Sequence, residues 1–126
     1  MAGETRARRL GKRMREELAE LIDREVADPR LDTITVTDVE VDRELAYATV
    51  FVTALDADER MDEILQALEG ARGFLRSQLA ARIPLRSFPQ LRFRHDSSPQ
   101  HGSRIDDLLE QLRKSEEQDR SETGEA

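Results

Sequence analysis

Between residues 33 and 53 the chain alternates apolar and polar side chains with a period of two, and on either side the period lengthens to that of a helix. That switch constrains the fold more than any other feature. A period of two buries one face of a strand, and a period of 3.6 buries one stripe of a helix. Thr33 to Thr37 are all β-branched residues, suited to a strand. The alternation then slips. Ile34 and Val36 are even, whereas Val39 and Val41 are odd, which predicts a bulge near Thr37-Asp38. Asp42-Arg43-Glu44 reads as the turn, and 45–53 as a second strand with Tyr47, Thr49 and Phe51 on one face. Ala46, Ala48, Val50 and Val52 fall on the other face, and the small alanines suggest a helix packed closely over it.

Upstream, Leu10, Met14, Leu18, Leu21, Ile22 and Val26 recur at helical spacing over about 5–27, and Asp28-Pro29 ends the run. Downstream, Met61, Ile64, Leu65 and Leu68 predict a helix over about 58–69, with Asp58 and Glu59 suited to its N-terminal dipole. After Gly70-Ala71-Arg72-Gly73, a further helix carries Phe74, Leu75, Leu79 and Ile83 on its core face. Leu91, Phe93 and His95 alternate with Arg92, Arg94 and Asp96, which predicts a third strand. A short final helix is expected through Ile105, Leu108, Leu109 and Leu112. The resulting expectation is an α+β fold with helices packed on one face of a three-stranded sheet. The expected domain spans 1–114, and the polar, acidic 115–126 is expected to be a disordered tail.

Charge narrows the function. The net value of −7 argues against a polyanionic partner, but the distribution argues for one. Residues 1–15 sum to +5 and 71–105 to +6, while 16–70 sum to −13 and 106–126 to −5. Two basic blocks are separated by acidic ground. Cysteine is absent, which excludes disulfides, thiolate chemistry and cysteine-based zinc sites. His95 and His101 match no ligand spacing, and no phosphate-binding loop is present. Neither a cofactor, a metal, a small-molecule substrate nor a catalytic group is expected. No apolar run reaches membrane-spanning length, so a cytoplasmic protein without a membrane partner is expected.

Gly70 and Gly73, three apart between two helices, have the form of the Gly-x-x-Gly loop with which KH domains clamp an RNA backbone. A plain helix–helix break explains two glycines equally well. Arg72 lies inside the segment and Arg76 one turn later, where both could reach one stretch of phosphate. Arg82 and Arg86 extend the basic surface, and Arg6, Arg9 and Arg13 share one side of the first helix.

The chain closely resembles the ribosome-binding factor A family over about 5–112. The resemblance is carried by the first helix ending in Glu25-Val26-Ala27-Asp28-Pro29-Arg30, and by 34–39 and 46–52. Ala71-Arg72-Gly73-Phe74-Leu75-Arg76, Ile83-Pro84-Leu85-Arg86, 89–93, Asp96-Ser97-Ser98 and Gly102-Ser103-Arg104-Ile105 complete it. It implies a KH-like fold of type II order, α-β-β-α-α-β plus a C-terminal helix, with an Ala-x-Gly helix kink in place of the glycine loop. Ala71-Arg72-Gly73 fits that kink, whereas Gly70 departs from the pattern and leaves kink and loop both open. The resemblance also implies a non-enzymatic partner of the free small (30S) ribosomal subunit. Such a factor assists late maturation of 16S rRNA, including its 5′-terminal helix region, and supports growth in the cold. Monomeric action is expected. A generic KH-type RNA-binding module and a protein-interaction domain are the alternatives.

Overall fold

The computed structural model describes residues 2–97, with side chains from residue 5. Contacts group Met1–His95 into one compact unit and Asp96–Ala126 into a second. The expected final helix and acidic tail lie outside the described residues. No described helix is long and apolar enough to cross a membrane.

The first unit runs α1 (Ala2–Glu25), a 3-10 turn (Pro29–Leu31), β1 (Ile34–Val41), β2 (Tyr47–Ala54), α2 (Ala57–Arg82) and β3 (Gln90–His95). It is the expected α+β, KH-like arrangement. Asp28 ends the first segment through its side chain, which accepts from the Arg30 backbone N–H and starts the 3-10 turn at Pro29. β1 pairs antiparallel with β2, and β2 parallel with β3, in the order β1-β2-β3. The phase slip is a bulge: the β1–β2 register shifts between Val36 and Asp38. Its effect is to keep Ile34, Val36, Val39 and Val41 on one face although their parity changes. Opposite them in register stand Ala54, Val52, Val50 and Ala48, and beyond these Leu91 and Phe93.

The helices cover that face. Met14, Leu18 and Leu21 of α1, and Ile64, Leu68, Leu75 and Leu79 of α2, are fully buried together with Ala48, Val50 and Val52. Ala48 lies under helix, as its size predicts. Gly11 marks a close approach: a β-carbon there would collide with the Val39 carbonyl oxygen. The hairpin between β1 and β2 is closed by Asp42, whose Oδ1 accepts from the N–H groups of Ala46 (2.7 Å) and Tyr47 (3.2 Å). Leu45, just before β2, sits in the left-handed region at φ 55°, a conformation that carries a steric cost for any residue with a β-carbon.

Two expectations are corrected. The helices expected over 58–69 and 74–83 are one unbroken helix, α2, through Gly70-Ala71-Arg72-Gly73. Neither glycine has positive φ, so neither performs a turn. Helix propensity on both sides, with an apolar stripe continuous through Ile64, Ala67, Leu68, Ala71, Leu75 and Leu79, outweighs two weak positions. Phe74 was expected in the core but is 43% exposed. Continuing the helix without a break rotates Phe74 to the outer side and leaves Leu75 on the inner one.

Candidate nucleic-acid interface

The basic residues of α1 and α2 were separate blocks in sequence, and the fold joins parts of them. Arg6, Arg9 and Arg13 are exposed along α1 at spacings of three and four. The Arg13 guanidinium donates from Nη2 to the backbone carbonyl of Arg82 at 3.0 Å. A cation thus meets the last turn of α2, where unsatisfied carbonyls and the helix dipole favour it. Arg82 in turn donates to Glu17 Oε2 at 2.8 Å and lies 4.0 Å from Glu20. Glu17 holds the Arg82 guanidinium more firmly protonated than usual. Arg86 follows in the exposed loop after α2. The result is a ridge with Arg6, Arg9 and Arg13 on one helix and the Arg82 end of the other beside Arg13, with Arg86 in the loop that follows.

Arg76 has a structural duty, and Arg72 stands apart along α2. Arg76 is half-buried, donating from Nε to the Pro89 carbonyl (3.1 Å) and from Nη2 to the Phe88 carbonyl (2.7 Å). It clamps the segment that delivers β3 to the sheet. The sequence placed Arg76 off the core face as a candidate phosphate contact, and the fold adds this tie to the β3 segment. Arg72 is exposed, 3.4 Å from Glu69 Oε2 on the same helix. It stands ten positions before Arg82, roughly 15 Å along the helix axis.

Gly70 and Gly73 are exposed, with open space where a β-carbon would sit, and Ala71 packs half-buried against the core. Because α2 is continuous, the N–H groups of 70–73 are bonded within the helix. They do not point outward as a nest for phosphate, so the loop form of the KH clamp is absent from this structure. What remains at 70–74 is an exposed stretch of helix, with Arg72 and Phe74 projecting from different sides.

Some surface cations were not singled out from the sequence. Arg8, Lys12 and Arg15, at helical spacing on another side of α1, line a groove of about 570 Å³ against Asp38, Val39, Glu40 and Val41 of β1. Arg92 and Arg94 are exposed on the sheet face turned away from the helices, where the Arg92 guanidinium carbon lies 3.6 Å from the centre of the Tyr47 ring. Their signal was legible: they alternate with the core residues Leu91 and Phe93 and must point the other way. Among the described residues no cluster of histidine and acidic side chains is arranged to hold a metal ion.

Comparison with known proteins gives one consistent answer. The family described as ribosome-binding factor A matches residues 6–109. Ribosome-binding factor A of Halothermothrix orenii is 42% identical over 117 residues, 93% of this chain and 96% of that protein. The Aromatoleum aromaticum protein is 45% identical over 108 residues, 86% of this chain and 85% of its own. The crystal structure of ribosome-binding factor A from Thermus thermophilus superposes with a TM-score of 0.64 at 30% identity, covering 71% of this chain and 94% of that one. A homology model of the Thermus protein, fitted into a cryo-electron-microscopy map of its complex with the 30S subunit, superposes with a TM-score of 0.54 at 30% identity. It covers 67% of this chain and 88% of that one.

Proposed function

The chain belongs to the ribosome-binding factor A family, and from that premise we propose that it binds the free small ribosomal subunit and assists late maturation of 16S rRNA. The observation that carries the choice of partner is the fit of the related Thermus protein into a map of a 30S complex. The chemistry suits that partner. Exposed arginines on a ridge of two hydrogen-bonded helices offer planar, permanently charged donors to phosphate oxygens. Such contacts supply affinity and orientation without reading sequence. Arg6, Arg9, Arg13, Arg72 and Arg86 are the assigned phosphate contacts. Arg76 and Arg82 chiefly brace the scaffold that presents them, and Gly70 and Gly73 offer an exposed helix surface to RNA rather than an amide clamp, with Ala71 turned to the core beneath them. The action is binding rather than catalysis, by a monomer in the cytoplasm. It extends to processing near the 5′-terminal helix of the RNA.

Sedimentation of the tagged protein through a sucrose gradient of cell lysate tests the reading. The expected position is with free small subunits, shifting toward the top as salt rises. Migration with assembled ribosomes, or with no ribosomal particle at low salt, overturns it.

A further inference from the structure

We infer that the face of the β2–β3 strand pair turned away from the helices is a stacking platform for unpaired RNA bases, a second contact separate from the helical ridge. The inference rests on the small-subunit reading and names the form of RNA this face takes. One side of the sheet is sealed by the helices, so the odd-numbered residues of β2 before the buried Thr53 and the even-numbered residues of β3 face the other way. On β2 these are Tyr47, Thr49 and Phe51; in register beside them on β3 are Gln90, Arg92 and Arg94. Tyr47 is 42% exposed, although an aromatic ring with no other duty would be expected to bury most of its area. The Arg92 guanidinium lies parallel-strand diagonal to it, 3.6 Å above the ring centre.

The charges on this face are partitioned. Asp38 and Glu40, whose register partners Phe51 and Thr49 face outward, place the carboxylates on the β1 side. Arg92 and Arg94 place the cations on the β3 side, with the aromatic rings of β2 between. A polyanionic strand is therefore drawn along β3, while the β1 carboxylates border the groove that Arg8, Lys12 and Arg15 line. Arg92 and Arg94 are roughly 6.6 Å apart along the strand, close to the separation of successive phosphates in an extended nucleic-acid chain. A base can stack on the outer side of the Arg92 guanidinium, extending the Tyr47–Arg92 pair, or take the place of Arg92 on the ring. Both need a base whose flat face is accessible, which single strands offer and duplexes do not.

The chain has one tyrosine and no tryptophan, so its ultraviolet emission reports Tyr47 alone. Titrating the full-length protein with a short oligouridylate should change that emission. A blunt RNA duplex and inorganic polyphosphate, which supply phosphate without accessible bases, should leave it unchanged. By fluorescence anisotropy of labelled oligouridylate, Tyr47→Ala should weaken binding roughly 5- to 150-fold, the range for losing one base stack. Tyr47→Phe, which keeps the ring and the fold, should bind like the wild type. Unchanged emission at saturating oligouridylate overturns the platform, as does an equal response to polyphosphate or a Tyr47→Phe variant as weak as Tyr47→Ala. Co-sedimentation with purified small subunits separates the two readings. A protein that travels with subunits while Tyr47 is silent loses the platform and keeps the function, and one that does neither loses both.

Discussion

At Gly11 α1 lies close on the sheet, and the missing side chain permits that distance. A β-carbon there meets the Val39 carbonyl, a backbone group that cannot swing aside. Alanine improves helix propensity by about 1 kcal/mol, but overpacking against fixed atoms costs about 1–3 kcal/mol. Gly11→Ala should therefore lower stability in denaturant unfolding despite the better helix former, and a stabilised variant would show that α1 rides further from β1. Arg76 makes a comparable point with a charged residue. Its guanidinium satisfies two carbonyls before β3, and hydrogen bonds from a charged donor contribute about 1.5–3 kcal/mol. Arg76→Ala should lower the melting temperature measurably, whereas exposed Arg72→Ala should leave it within a degree or two. Equal effects of the two substitutions would contradict the clamp. Loss of RNA binding in a variant lacking both arginines therefore cannot be assigned to phosphate contact until the single variants are compared.

At the level of elements, α2 carries the sharpest test. If its backbone is helical through Gly70 and Gly73, with open space at both, then alanine at each removes unfolded-state freedom without a clash. Each substitution should stabilise by about 0.4–1 kcal/mol, read from the urea midpoint. A loop with glycine-specific geometry predicts the opposite sign. The start of the same helix is tied down by Asp56, which gives no side-chain cap to its own helix. It instead accepts from Arg60 Nη1 at 2.9 Å and from the Thr33 hydroxyl at 3.3 Å. Arg60 extends the tie by donating to the Arg30 carbonyl at 3.1 Å. The Arg60 hydrogen bond holds the Asp56 carboxyl below the ordinary value of 3.8. Folded Asp56 thus binds a proton less readily than unfolded Asp56, so its contribution is full above that ordinary value and is lost as pH falls through the lowered one. Between neutral pH and about pH 3, the wild type should lose more stability than Asp56→Asn, the excess arising below about pH 4. Parallel pH profiles for the two proteins would rule the linkage out.

For the whole molecule, the test of the ridge is its salt dependence. Arg6 and Arg9 are exposed and take no part in the contacts that hold the helices together, unlike Arg13 and Arg82. Arg6→Ala with Arg9→Ala should leave unfolding unchanged and weaken small-subunit association. The log–log salt slope should flatten by roughly 1.4 if both contacts are to single strands, or 1.8 if to duplex. An unaltered slope would move the contact off α1. Much of the architecture behind these expectations was legible in the chain, because period and phase depend only on local geometry. The shift from even to odd apolar positions at Thr37-Asp38 gave the bulge, the alanine at 48 gave the covered face, and Asp28-Pro29 gave the end of α1 to within a few residues. Sequence motifs also supplied the family resemblance, which the comparisons bear out. The continuity of α2 was not legible, because a glycine pair weakens a helix locally while the decision to continue belongs to the apolar stripe on both sides packing against one sheet. Nor were the roles of the arginines. Arg76, Arg82 and Arg13 differ from Arg6 and Arg9 only in which carbonyls and carboxylates the fold brings within about 3 Å of them, and a linear chain records the charge of a side chain but not the distant groups that will satisfy it.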